Sequence, residues 1–169
     1  MITKATLNDV SELTILVNSA YRGEFSKNGW TTEADLLGGI RIDEERMEEL
    51  ISKPDSVVLK YLNDENKIIA CVHLEKHEAK LYLGMLTVSP LLQARGIGKL
   101  FLKAAEDEAR KQNCTSIYMS VITARTELIA WYERHGYVNT GIKKPFPKHD
   151  PRFGLPKTEL EFVMLEKII

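Results

Sequence analysis

A chain of 169 residues, 44% hydrophobic and 28% charged, has an ordinary soluble globular composition, with room for one sizeable core over residues 1–169 and little for a second domain. A formal net charge of −1 argues against a nucleic-acid binder working through a broad basic field, which leaves a small-molecule partner. No apolar run is long enough to span a bilayer, and the opening Met-Ile-Thr-Lys-Ala-Thr lacks the basic and apolar regions of a signal peptide, so the expectation is a cytoplasmic protein without membrane contact.

Asn8 or Asp9 can cap a first helix that sets Val10, Leu13, Leu16, Val17 and Ala20 on roughly one face and ends near Arg22-Gly23. Residues 21–34 mix aromatics, charges and two glycines, which suits a shaped loop; Trp30 and Phe25 are expected to pin it into the core. A second helix is predicted from about Asp43 to Ser52, with Met47, Leu50 and Ile51 inward and Pro54 closing it. Ser56 to Tyr61, Lys67 to Glu75 and Lys80 to Val88 then read as three strands of an antiparallel meander, separated by Asn-Asp-Glu-Asn and His77-Glu78-Ala79 turns. Cys71 and Cys114 form no metal-binding pattern and read as buried or incidental reduced thiols. His73 and His77 would share a strand face about 13 Å apart, too far for one metal.

Residues 83–103 organise the chain. An apolar run ends at Val88, Pro90 stops further pairing, Gln93 to Gly98 form a glycine-containing turn, and Leu100, Phe101, Ala104 and Ala105 recur at helical spacing. Strand, turn and helix in that order aim backbone N–H groups outward at the positive end of a helix, a natural anion site. A Walker A loop would need glycine at 93 and Ser or Thr after Lys99, and a dinucleotide fingerprint would need glycine at 101; Gln93, Leu100 and Phe101 exclude both.

The following helix runs to about Lys111, and Ser116 to Val121 is the next strand. The intervening crossover makes it parallel to the 80–88 strand, with a ligand expected outside their carboxyl ends. Thr123 can cap a helix from Ala124 to His135, stopped by Gly136. Tyr137 to Ile142 and Glu159 to Glu166 are the closing strands. Between them Lys143 to Lys157 holds four prolines and reads as a rigid surface loop or a lid.

Gln93-x-x-Gly96-x-Gly98 in its strand–turn–helix setting resembles the pyrophosphate loop, Gln/Arg-x-x-Gly-x-Gly/Ala, of the GNAT superfamily of acyl-CoA-dependent N-acetyltransferases. The order β α α β β β α β α β β resembles that family's fold over nearly the whole chain, and Trp131-Tyr132-Glu133-Arg134-His135-Gly136-Tyr137 resembles its Tyr-Glu-x-x-Gly-Phe/Tyr signature. The resemblance implies a single α/β (α+β) domain: a mixed, mostly antiparallel sheet of about six or seven strands with a splayed parallel pair, flanked by about four helices. It also implies an acetyl-CoA-dependent N-acetyltransferase that acts on a primary amine of a small metabolite or peptide by direct attack in a ternary complex, without a metal. A non-catalytic acyl-CoA sensor and a protein N-terminal acetyltransferase are the alternatives.

By the same resemblance the pyrophosphate lies on the amides of Gln93, Ala94, Arg95, Gly96, Ile97, Gly98 and Lys99, with charge from Arg95 and Lys99. The pantetheine arm pairs like an added strand with Leu86, Thr87 and Val88, and an N–H near Leu86 meets the thioester carbonyl. Tyr132 is the implied general acid; a phenol near ~10 donating to a thiolate near ~8.5 is uphill by roughly 2 kcal/mol, so hydrogen bonding to the sulfur precedes full transfer. Where some relatives carry a glutamate base, eleven residues before Gln93, this chain has Tyr82. Glu33 is therefore the candidate base, with Glu24, His73, Glu75 and a water chain as further options. Tyr21, Glu24, Trp30 and Thr31 fall where relatives build the acceptor pocket. Arg125, seven residues before Tyr132, replaces a common asparagine and either contacts the carrier or binds an acidic acceptor. Acceptor identity and oligomeric state are left open.

Overall fold

Three strand-forming stretches joined by short polar turns fold back on one another in the computed structural model, which describes residues 1–147 and 153–169. They are β3 (Ser56–Leu62), β4 (Ile68–His77) and β5 (Lys80–Val88), paired antiparallel. Asn63 makes the first turn by accepting the amides of Glu65 and Lys67 on its side chain, and Asn66 and Glu78 take the left-handed backbone that such reversals need. Strand β1 (Ile2–Lys4) adds to β3, while β6 (Ser116–Ile122), β7 (Val138–Pro145) and β9 (Glu161–Ile168) complete a seven-stranded sheet in the order β1-β3-β4-β5-β6-β9-β7. A two-stranded ladder joins β2 (Leu37–Gly38) to β8 (Leu155–Pro156), tying the first loop region to the end of the proline-rich segment. Of that segment, residues 148–152 lie outside the described chain, and with them the middle of the expected surface loop.

Helices cover both faces. On one, α3 (Ile97–Lys111) buries Phe101, Leu102, Ala105 and Ala109 against Val72, Leu74, Leu81, Leu83, Ile117 and Met119, joined by Tyr132 of α4 (Thr126–Arg134). On the other, α1 (Val10–Tyr21) and α2 (Glu44–Ser52) pack Leu13, Val17, Met47 and Leu50 against Val58, Cys71 and Met85. Alternation along β3 and β4 assigns neighbouring residues, Val58 and Leu59 or Cys71 and Val72, to opposite cores. Asp43 caps α2 by accepting the Arg46 amide at 2.8 Å.

Two irregularities position the site. In β5 the pairing jumps from His73–Gly84 to Cys71–Thr87, so that Val72 faces both Met85 and Leu86; Met85 takes φ +55° and its carbonyl accepts from the Thr87 hydroxyl. Then β5 and β6 pair in parallel only at Lys80–Ser116, Leu81–Ile117 and Tyr82–Tyr118. Beyond these, β6 stays with β9 and β5 stays with β4, which opens a gap between the carboxyl halves of β5 and β6.

Several boundaries differ from expectation: β4 runs on to His77, and β7 to Pro145, three residues into the stretch expected to be loop. Thr123 does not cap α4: its amide donates to Glu161 O, prolonging the sheet contact, and Arg125 turns back onto Ile122 O before the helix starts at Thr126. At the outer edge, β7 is exposed along its length and its register with β9 shifts between Asn139 and Lys143. Inside the shift, the Gly141 amide donates to Asn139 Oδ1 and the Ile142 amide to Thr140 Oγ1.

Candidate functional site

The gap between β5 and β6 widens into two adjoining cavities. The first, about 300 Å³, lies between the open edge of β5, the glycine turn and α4. It is lined by Leu86, Thr87 and Val88, and by Gln93, Ala94, Gly96, Ile97, Gly98 and Lys99; Arg95 stands exposed outside it. Ala94 and Gly96 both take left-handed backbone, at φ +63° and +84°, which turns the loop back on itself before α3. None of the amides from Gln93 to Lys99 has an acceptor among the described residues; the first in-chain bond is Leu100 N–H to Gly96 O at 3.2 Å. A row of unpaired amides at a helix N-terminus suits a phosphate.

Gln93 has a different job from its neighbours. Its Nε2 donates to Val88 O at 3.0 Å and its Oε1 accepts the Trp30 amide at 2.9 Å, so the side chain sutures the N-terminal loop to the end of β5. A Cβ on Gly29 would fall 2.2 Å from that Oε1, which is why the loop carries glycine there. Contrary to the sequence expectation, Trp30 and Phe25 do not anchor this loop in the core; both are roughly half exposed, and Trp30 leans on Trp131 across the cavity at a centroid distance of 6.3 Å. The loop is held instead by Gln93 and by buried Ser26, which donates to Gly23 O and meets Thr32.

The second cavity, about 500 Å³, opens on the α1–α2 side. Its lining includes three aromatic residues, Phe146, Phe153 and Phe162, and a charged set, Arg22, Arg41, Arg46 and Glu33. Tyr21, Leu86, Arg125, Leu128 and Tyr132 line both cavities and form the wall between them.

Glu33 is buried beneath that wall. Arg22 Nε reaches its Oε1 at 2.9 Å and Arg125 Nη1 its Oε2 at 3.2 Å. Arg22 Nη1 also donates to the carbonyls of Gly38, Ile40 and Phe153. Arg125 Nη2 donates to Thr31 Oγ1, and Thr31 in turn donates to Glu127. Arg125 Nε is buried without a partner among the described residues. The Tyr21 ring lies under two guanidinium groups, Arg41 at 5.3 Å and Arg125 at 5.8 Å, and its hydroxyl donates to Leu86 O at 3.0 Å. Burial pushes its phenol up to about 12 despite both arginines. Burial likewise holds the Tyr132 phenol well above its ordinary value, assisted by the neighbouring Tyr21 and Tyr137.

Of the candidate residues, Tyr21, Glu33, Arg125 and Tyr132 come together at the wall, and Trp30 and Thr31 line the first cavity. Glu24 does not join them: its side chain is 89% exposed, pairs with Lys27 and lines neither cavity. His73 and Glu75 also fall outside both linings. His73 meets Ser56 Oγ through Nε2 at 2.9 Å, and burial depresses its imidazole to about 4; Glu75 is paired with Lys53 and His77. Arg22 and Arg41 are additions that nothing in the sequence distinguishes from the other basic residues, 23 in all.

A sequence profile of the acetyltransferase (GNAT) family matches residues 17–137. Acetyltransferase Atu2258 of Agrobacterium fabrum is 33% identical over 85 residues, a stretch covering 49% of this chain and 59% of that protein, so under two thirds of the relative's length is spanned. Ribosomal-protein-alanine N-acetyltransferase from Brucella melitensis superposes with a TM-score of 0.73 at 16% identity, over 100% of this chain and 99% of that one. A Bacillus anthracis protein assigned as a streptothricin acetyltransferase, in complex with acetyl coenzyme A, superposes with a TM-score of 0.60 at 20% identity, over 72% of this chain and 66% of that one. At these identities the two structures establish likeness of fold.

Proposed function

Because the chain belongs to the GNAT family of acetyltransferases, we propose that it transfers an acetyl group from acetyl-CoA to a primary amine of a small metabolite or peptide within a ternary complex. The observation that carries this reading is the shared wall: a cavity with unpaired turn amides and a second, arginine-lined cavity meet at Leu86 and Tyr132. A sensor that only held the carrier would have no use for the second cavity. The acetyl-CoA bound in the Bacillus anthracis relative supports the choice of carrier.

In this reaction the amine lone pair forms a C–N bond at the thioester carbonyl carbon, the C–S bond breaks, the amine's proton leaves to solvent and the thiolate is protonated. The amides of Gln93 to Lys99 hold the pyrophosphate. The bulged Leu86 offers its N–H to the developing oxyanion, and Tyr21, bonded to Leu86 O, holds the adjoining Leu86–Thr87 peptide. Tyr132 donates a hydrogen bond to the departing sulfur; with its phenol raised by burial, complete proton transfer waits for solvent. Glu33 is reassigned from base to clamp, since both oxygens are engaged by guanidinium groups. Excess positive charge around the second cavity favours the neutral, attacking form of the amine, which lessens the need for a side-chain base. Burial lifts the Cys71 thiol to about 12, which speaks for direct attack over an acetyl-cysteine.

Thermal unfolding with saturating acetyl-CoA, against ATP and NAD as controls, tests the carrier. At a hundredfold over the dissociation constant the expected stabilisation is about 2.7 kcal/mol, or roughly 5–11 °C for a chain of this size. No selective shift removes the carrier assignment. Tyr132→Phe should keep that shift while lowering kcat about 10- to 100-fold; an unchanged kcat takes Tyr132 out of the reaction.

A further inference from the structure

The arginines of the second cavity differ in what they have left to bind. Arg22 is engaged by Glu33 through Nε and by three backbone carbonyls through Nη1, and is buried. Arg46 lies at the exposed rim and pairs with Glu49 at 2.7 Å. Arg125 is engaged by Glu33 through Nη1 and by Thr31 through Nη2, and its Nε is buried with no partner among the described residues. Arg41 has no acidic partner among the described residues, and its guanidinium lies over the Tyr21 ring. Its backbone is fixed, because Asn18 Oδ1 accepts the amides of both Arg41 and Ile42.

Charge points the same way. Arg22, Arg41 and Arg125 face the cavity with Glu33 as the only acidic residue in the described lining, an excess of positive charge that a purely cationic amine would meet as repulsion. An acceptor that brings its own anion removes the conflict. Arg41 and the Leu86 peptide share one aromatic residue: the guanidinium lies over the Tyr21 ring at 5.3 Å, and the hydroxyl of that ring donates to Leu86 O. Amine and anion on the same small molecule suit a cavity lined by both Arg41 and Leu86, with an apolar side chain set among Phe146 and Phe162.

We propose, resting on the acetyl-transfer reading above, that the acceptor is an amine carrying a carboxylate, an α-amino acid or dipeptide with an apolar side chain, and that Arg41 binds the carboxylate. Arg125 supports it by keeping a positive wall between the two cavities. Recognition of this kind is bidentate and charge-assisted, and arginine is suited to it where lysine would act only as a point charge.

Matched acceptor pairs test the assignment. Apolar α-amino acids and dipeptides are compared with their C-terminal carboxamides in an acetyl-CoA assay that reads free thiol release. The free acids should have kcat/KM about 10- to 100-fold above the amides, the range expected for one charge-assisted contact. Arg41→Gln should bring that ratio close to one while the thermal shift given by acetyl-CoA stays, and Arg41→Lys should restore part of it. Amides that react as well as acids overturn the proposal, as does a failure of every acid and dipeptide to react when acetyl-CoA still raises the unfolding temperature. Loss of the acetyl-CoA shift in the unaltered protein is a different result: it withdraws the transfer reading and the acceptor assignment with it.

Discussion

Glu33 holds two arginines from distant parts of the chain, Arg22 eleven residues before it and Arg125 ninety-two residues after. A carboxylate in that position acts on structure before it acts on chemistry. Glu33→Gln leaves two buried guanidinium groups without their counter-charge and should lower stability by about 3 kcal/mol, because breaking one member of a buried ionic group strands the others. The pH profile of kcat/KM separates the roles. If Glu33 is the clamp, the acidic limb of the profile survives in the variant; if that limb vanishes while the unfolding temperature holds, Glu33 is the base after all. Its place among the candidates was legible from its position in the aromatic loop. Its role was not, since Arg22 reads only as the end of a helix and Arg125 only as a departure from a motif, and nothing local says that both turn inward to one carboxylate.

The suture between the 29–30 loop and the end of β5 couples two elements that share the carrier cavity. Gly29→Ala places a methyl where Gln93 Oε1 sits, so the amide must swing away and both hydrogen bonds are lost. The expected result is a several-fold rise in the KM for acetyl-CoA with a global stability cost of about 1–3 kcal/mol, the range for two net hydrogen bonds. An unchanged KM would mean that the loop keeps its place without Gln93. Alternating strands, the start of α2 near Asp43 and the glycine turn were legible because each is a local signal. The Met85 bulge and the delayed start of α4 were not. The bulge depends on what β4 offers across the sheet, and Thr123 would be a reasonable cap were its amide not drawn to Glu161, thirty-eight residues away in β9.

At the scale of the whole molecule, His73 sets an acid limit on stability. Its imidazole is depressed to about 4 by burial, which outweighs the help of Glu75, while Arg46, Arg41 and Lys53 push the same way as burial. An unfolded histidine takes up a proton near ~6.5. Below that pH the unfolded chain binds more protons, so stability is complete above about 6.5 and falls by about 3 kcal/mol as pH drops towards 4. Burial pushes the Glu75 carboxylate upward, but Lys53 and the two histidines outweigh it, so its own contribution is lost only at still lower pH. Urea unfolding at pH 7, 6 and 5 should follow that fall in the native protein and lose most of the slope in His73→Gln; an equal slope in both would place the sensitivity elsewhere. The antiparallel meander and the parallel crossover were foreseeable from element order, whereas the insertion of β9 between β6 and β7 and the meeting of two cavities at one wall are properties of the assembled sheet. The outer strand of that sheet has a further consequence. Val138 and Ile142 lie bare on β7, an invitation to strand addition by another molecule. Yet the register shift turns the amides of Gly141 and Ile142 to nearby side chains, and Lys143, Lys144 and Pro145 follow directly. With two of its donors engaged locally, its lysines alike in charge and its last N–H missing, β7 is a poor template to copy.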